Sequence, residues 1–201
     1  THSYSSAASD VYKRQDMIEA GTFLMAGATL GDIKLIDVDP SHLNIVLEKL
    51  DNVGCDLSLG DNSISIKQNN SILASDITTD VHPGFPTDLQ AQWIALMSVA
   101  DGTSVVTETI YLDRFSHVPE LVRLGANITL ENNIAIVRGQ KSLTGAQVMS
   151  TDIRASASLV IAALIADGRS DISRIYHIDR GYEKIEEKFK LLGADITREK
   201  E

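Results

Sequence analysis

The sequence predicts an α/β domain of three repeated helix–strand–helix–strand–strand units, with helices inside and sheets outside. Three observations lead there. First, three segments close alike: LDNVGCDLSL (50–59), VRLGANITL (122–130) and KLLGADIT (190–197). Their glycines, Gly54, Gly125 and Gly193, lie 71 and 68 residues apart. Second, a further glycine precedes each of these (Gly31, Gly102 and Gly168) by 23, 23 and 25 residues. Two landmarks recurring at near-constant offset mark a structural repeat. Third, the helical stretches are strongly apolar, as in 155–166. One unit cannot bury both faces of its elements alone, whereas three packed about a pseudo-threefold axis share one core.

Each unit reads in the same order. In the second, an apolar helix over 89–100 ends at Gly102, as expected for a residue in the left-handed conformation. A β-rich run follows over 104–110. A second, amphipathic helix with Leu121, Val122 and Leu124 among its apolar positions ends at Gly125. A hairpin closes the unit, with strands 127–130 and 134–137 around Glu131-Asn132-Asn133. In the first unit the hairpin strands are 56–59 and 64–66, around Gly60-Asp61-Asn62. The third unit stops after its first hairpin strand. The units cover about 16–80, 81–145 and 146–201. Residues 1–15, THSYSSAASDVYKRQ, are rich in serine and alanine and carry no helical or strand period. They are set aside as an extraneous or disordered N-terminal segment, the alternative being a natural flexible tail.

Composition narrows the function. The 201 residues are 43% apolar and 23% charged, which suits a globular chain. The net charge of −10 disfavours a nucleic-acid partner, which requires a basic surface. The single cysteine, Cys55, excludes an intramolecular disulfide and suits a reducing compartment. It occupies the slot of Ala126 and Ala194 and reads as a small core residue. No apolar run approaches a membrane span, no signal peptide is apparent, and a cytoplasmic location is expected. His42, His82, His117 and His177 show no metal-ligand spacing, and no dinucleotide or Walker motif is present. Neither metal nor cofactor is expected.

The chemistry-bearing positions fall at equivalent places in the units. In HPGFPTDLQAQ (82–92), Pro83, Gly84 and Pro86 fix a loop before a helix. Thr87 and Gln90 stand in the capping-box relation, which places Asp88 in the first helical turn, where free N–H groups favour a carboxylate. From spacing alone, the plainer reading of a helix-start acid is favoured. In TDIRASAS (151–158), Asp152 follows Thr151 as Asp88 follows Thr87. Arg154 sits in the first turn against the helix dipole, which makes it a candidate anion ligand. The alternative is a surface pair with Asp152. Arg180 joins Arg154 as a candidate clamp on phosphate or carboxylate, or else caps or pairs with Asp179. Arg114 has the analogous address in the second unit. Repeat symmetry brings Asp88, Arg114, Arg154 and Arg180 to unit ends that converge on one edge.

The strings HPGFPTDLQAQ, TSVVTETIYLDRFSHVPEL, LTGAQVMSTDIRASASLVIAALIADG and RIYHIDRGYEKIEEKFKLLGADI closely resemble the UDP-N-acetylglucosamine 1-carboxyvinyltransferases, members of the enolpyruvyl transferases. The resemblance runs over about 16–201. It implies transfer of enolpyruvyl from phosphoenolpyruvate to the 3′-hydroxyl of UDP-N-acetylglucosamine with release of phosphate, the first committed step of peptidoglycan synthesis. It implies a fold of two domains, each an inside-out α/β barrel of three repeats. Residue by residue, Asp88 matches the proposed general base and Ile110 a contact to the nucleotide sugar. Arg154 and Arg180 match arginines facing phosphoenolpyruvate. Asp152 matches an acid that assists proton transfer, and Arg114 an arginine near the site. The family's proton-donor loop, and a lysine and asparagine near its N-terminus, have no counterpart here. The resemblance therefore implies a fragment, inactive without the missing N-terminal domain. The competing expectation is a stand-alone module that binds a UDP-sugar or a protein without catalysis.

Overall fold

The computed structural model describes residues 6–67 and 71–199, with side chains described from residue 17 onward. Three helices form its centre: α1 (Ser6–Leu30), α3 (Gln90–Met97) and α5 (Ile153–Ile165). They pack against one another. All eight residues of α3 are buried, as are eight consecutive residues of α5, Ala155–Ala162. A helix with no solvent face is held by burial on all sides rather than by an amphipathic stripe. A polar knot ties α1 and α3 to Tyr182, in the segment before α6. The Thr22 and Tyr182 hydroxyls lie 2.8 Å apart, and Gln92 Nε2 donates to both at 3.1 and 3.3 Å. Such bonds offset the cost of burying polar atoms in an apolar core.

The shorter helices α2 (Asn44–Asn52), α4 (Val118–Arg123) and α6 (Ile185–Leu191) cover the centre with one face each. Val46, Leu47 and Leu50 of α2 point inward, as do Val118 and Leu121 of α4 and Ile185 and Phe189 of α6. All six repeat glycines have positive φ, from 91° at Gly125 to 130° at Gly31. A side chain at these positions would be strained.

Three sheets lie around the helices. The first holds β1 (Ile33–Ile36), β2 (Asp56–Gly60) and β3 (Ser63–Lys67) in the order β1-β3-β2, all antiparallel. The second holds β4 (Ile77–Thr78), β5 (Thr103–Thr107), β6 (Asn127–Glu131) and β7 (Ile134–Arg138) in the order β4-β5-β7-β6. Here β4 is parallel to β5 across α3, and β7 is antiparallel to both its neighbours. In β3 and β7 alternate residues are buried, namely Ile64 and Ile66, and Ala135 and Val137. That is the period-2 pattern of a sheet with one covered face. Both expected hairpins are present, β3 two residues longer than expected and the other three strands one residue longer.

The third sheet has only β8 (Gln147–Met149) and β9 (Asp171–Ser173), parallel across α5. The hairpin strand expected near 194–197 is not a strand in the structure. The physical reason is the lack of a neighbour. In the other sheets this strand pairs with the second arm of its hairpin, and no such arm follows here among the described residues. A cavity of about 1110 Å³ opens instead beside β9 and residues 193–199, with Val160, Ile178, Ile185 and Phe189 among its walls. Helix α1 begins at Ser6, so most of the segment set aside on sequence has helical backbone, while residues 1–5 lie outside the described region. Residues 6–15 contain no glycine or proline to stop a helix propagating from the buried part of α1.

Candidate active site

The site grows from the loop before α3. Gly84 N–H donates to the Val81 carbonyl at 2.8 Å and Asp80 N–H to the Phe85 carbonyl at 3.0 Å. The buried Phe85 ring meets Trp93 edge-on at 5.5 Å, which anchors the loop in the core. Residues Thr87–Leu89 form a 3₁₀ turn leading into α3. Asp88 is therefore in the turn before the α-helix. The capping box expected of Thr87 and Gln90 does not form. No side chain caps either the turn or α3. Thr87 instead donates its hydroxyl to Glu108 Oε2 at 2.9 Å, and Gln90 Nε2 donates to the Arg114 carbonyl at 3.3 Å. The Thr87 oxygen, which would accept the Gln90 N–H in a capping box, accepts instead from Arg114 Nη1 at 3.0 Å.

Asp88 is gripped from two sides. Arg154 donates Nε to Oδ1 at 3.0 Å and Nη2 to Oδ2 at 2.9 Å, a bidentate fork. Arg114 donates Nη1 to Oδ1 at 2.6 Å and to the Thr87 hydroxyl at 3.0 Å. The Arg114 guanidinium also lies 5.3 Å from the Tyr111 ring centroid. The three charged side chains are partly exposed, 31% for Asp88, 21% for Arg114 and 35% for Arg154. Burial pushes the Asp88 pKa up, but the hydrogen bonds and charges of Arg154 and Arg114 outweigh it and hold the carboxyl below its ordinary value. Arg154 thus pairs with Asp88, 66 residues away, and not with Asp152.

Asp152 caps α5. Its Oδ1 accepts from Arg154 N–H at 2.8 Å and Ala155 N–H at 3.0 Å, and its Oδ2 accepts from the Ser116 hydroxyl at 3.1 Å. Burial raises its pKa, yet these bonds carry the net shift downward. His117 lies buried beside this group. Burial is the largest influence on its imidazole, the nearby Asp152 opposes it, Arg114 reinforces it, and the pKa falls to about 4. Its Nε2 has no hydrogen-bond partner among the described residues.

Ile110 is 42% exposed and its N–H donates to Glu108 Oε1 at 2.9 Å. Arg180 ends a 3₁₀ turn, Ile175–Arg180, and is exposed. It does not pair with Asp179, whose carboxylate takes two bonds from Arg198 at 2.9 and 2.6 Å. Next to it, Gly181 sits against Ile153, where an added Cβ would lie 2.7 Å from Cγ2. The structure thus joins Asp88, Arg114 and Arg154 directly, with Asp152 beside them on the α5 cap. Arg180 has no polar contact with that group. Sequence reading missed Glu108 and the bonding role of Thr87. The usable signal was an acid inside the β-branched run VVTETI, an environment that rarely tolerates one without partners. No group of three or more His, Cys, Asp or Glu among the described residues is arranged to hold a metal ion.

The sequence and the fold match known proteins. The EPSP synthase (3-phosphoshikimate 1-carboxyvinyltransferase) family matches residues 5–189. The chain belongs to that family of enolpyruvyl transferases. Within the family it is similar to the UDP-N-acetylglucosamine 1-carboxyvinyltransferases of Pelodictyon phaeoclathratiforme, 53% identical over 186 residues, and Myxococcus xanthus, 54% identical over 186 residues. Each match covers 92% of this chain and 44% of the relative. Among solved structures, the enolpyruvyl transferase NikO from Streptomyces tendae superposes with a TM-score of 0.83 at 27% identity, covering 90% of this chain and 43% of that one. This enolpyruvyl transferase chain therefore spans less than half the length of the relatives it matches. No described helix is long and apolar enough to cross a membrane.

Proposed function

We propose that this chain supplies one half of an enzyme that transfers enolpyruvyl from phosphoenolpyruvate to the 3′-hydroxyl of UDP-N-acetylglucosamine, releasing phosphate in the cytoplasm at the entry to peptidoglycan synthesis. The observation that carries the reading is the grip of Arg114 and Arg154 on Asp88. A base, two cations and a capped acid then stand at one edge of the domain. Identity of 53% to enzymes named for this reaction supports the choice of substrates.

The chemistry follows from those groups. The sugar hydroxyl adds through oxygen to C2 of phosphoenolpyruvate as C3 gains a proton, giving a tetrahedral intermediate. Loss of phosphate from C2 and of a proton from C3 then restores the enol double bond in the product. Asp88 receives the hydroxyl proton. In the ligand-free chain the two guanidinium groups keep its basicity low. An incoming anion draws arginine charge toward itself, which raises the Asp88 pKa as the base is needed. Arg154, with Arg180 from the turn beside α5, binds the phosphate and carboxylate and stabilises the charge of the intermediate. Ile110 lies against the nucleotide sugar, and Asp152 assists proton transfer.

The proton donor to C3 belongs to the part of the enzyme beyond this chain, its N-terminal domain. The same reading makes residues 16–201 an inside-out barrel of three units, 16–80, 81–145 and 146–201, with residues 1–15 extraneous. The matching strand order of the first two units supports it, β3 lying between β1 and β2 as β7 lies between β5 and β6. Phosphate release from phosphoenolpyruvate tests the proposal. The complete enzyme should release phosphate only when UDP-N-acetylglucosamine is present, and residues 16–201 alone should release none. Turnover by the chain alone would overturn the half-site reading. Ligand binding by the complete protein without phosphate release would favour a non-catalytic binding module.

A further inference from the structure

Glu108 is fully buried, and the sequence motifs assign it no role. Its side chain accepts four hydrogen bonds. Oε1 takes the Thr79 hydroxyl at 2.7 Å and the N–H groups of Ile110 and Tyr111, both at 2.9 Å. Oε2 takes the Thr87 hydroxyl at 2.9 Å. Its backbone is fixed as well. Glu108 N–H donates to the Asn133 carbonyl at 2.8 Å, and Asn133 Nδ2 donates to the Glu108 carbonyl at 2.8 Å. Thr79 in turn is tied to both sides, its N–H to the Thr107 carbonyl at 2.9 Å and its hydroxyl oxygen to Thr109 N–H at 2.9 Å.

We propose that Glu108 is a positioning residue whose buried carboxylate fixes the loop bearing Ile110 against the turn bearing Asp88. The proposal rests on the functional reading above only in naming the sugar nucleotide as what these two loops face. All four partners are donors, so an acceptor-only group suits the place. The bond to Thr87 has a directional consequence. With its hydrogen committed to Glu108, the Thr87 oxygen offers lone pairs outward, and Arg114 Nη1 donates to it at 3.0 Å. That same nitrogen donates to Asp88 at 2.6 Å. Glu108 thereby sets the position of the Arg114 guanidinium and, through it, of the Asp88 carboxylate. A glutamine can keep an oxygen toward Ile110 and Tyr111 but turns a donor toward Thr87.

The test is steady-state kinetics on the complete enzyme bearing Glu108→Gln, Thr87→Val and both together. Glu108→Gln should raise KM for UDP-N-acetylglucosamine by about tenfold and lower kcat, leaving KM for phosphoenolpyruvate within about twofold. Because Glu108 acts through Thr87, the double variant should lose less kcat than the product of the single losses. Unchanged kinetics, an equal rise in both KM values, or fully multiplicative losses would overturn the proposal. If Glu108→Gln does not fold, Thr87→Val decides alone, since it deletes the Oε2 link together with the Arg114 bond that the link orients. Unaltered kcat in that variant would refute the role. If the wild-type enzyme turns over neither substrate, the functional reading fails separately. Positioning is then read by hydrogen exchange on the 201-residue chain. Glu108→Ala should speed exchange of the Ile110 and Tyr111 amides by at least about tenfold, and unchanged exchange would overturn it.

Discussion

Replacing Asp88 by asparagine removes the charge at the centre of the site with little change of shape. Three charge-assisted bonds are affected, from Arg114 at 2.6 Å and from Arg154 at 3.0 and 2.9 Å. Such bonds contribute about 1.5–3 kcal/mol each when buried. Here the side chains are 21–35% exposed, and solvent screens them. Asparagine keeps one acceptor oxygen but leaves two guanidinium groups facing each other. The expected net loss is about 1–2 kcal/mol. At roughly 2–4 °C per kcal/mol for a chain of this size, the Tm at pH 7 falls by about 2–8 °C. The pH dependence separates this account from a generic packing defect. The folded Asp88 pKa lies below its unfolded value of about 3.9. The stabilisation is therefore present above about pH 4 and lost as pH falls through the folded value. Differential scanning calorimetry of both proteins at pH 7, 5 and 3 should give equal gaps at pH 7 and 5 and a narrowing gap at pH 3. An unchanged Tm at pH 7, or a gap constant down to pH 3, would refute the ion-pair geometry.

Two further outcomes follow from a buried histidine and a close backbone contact. His117, with its pKa pushed down to about 4, takes up a proton on unfolding between roughly pH 4 and 6.5. Stability should rise with pH across that window, by about 3 kcal/mol at most, and urea midpoints at pH 5 and 7 should differ less in His117→Gln than in the wild type. Gly139→Ala should destabilise by about 2–3 kcal/mol, because an added Cβ would stand 1.6 Å from the Ala100 carbonyl oxygen. Urea denaturation checks this, with the milder Gly168→Ala as comparison, since only its φ of +93° opposes a side chain.

Much of the fold was legible because its signals are local and repeated. Glycines with positive φ punctuate each unit, and strands such as Ile134–Arg138 carry their period in a few residues. The missing strand at 194–197 was not legible as missing. Ala-Asp-Ile-Thr has the same pattern as its counterparts, and pairing depends on a partner the segment cannot encode. In the site, helix-start positions located Asp88, Asp152 and Arg154. Their bonding was misjudged where a distant group intervened. Thr87 looks like a cap until Glu108, 21 residues on, is brought beside it. Arg154 looks like a partner for Asp152 until α3 and α5 pack and Asp88 comes within reach. The contacts that make the site are long-range, and a local reading of spacing cannot rank them.

On the proposed function, Asp88 is the base of a half-site for enolpyruvyl transfer. The most direct measurement is the rate of phosphate release from phosphoenolpyruvate, with UDP-N-acetylglucosamine present, by the complete enzyme and its Asp88→Ala variant. In a variant that stays folded, kcat should fall by roughly 10²–10⁴-fold, the usual contribution of a positioned general base. A loss of less than about threefold would contradict it and remove Asp88 from the reaction.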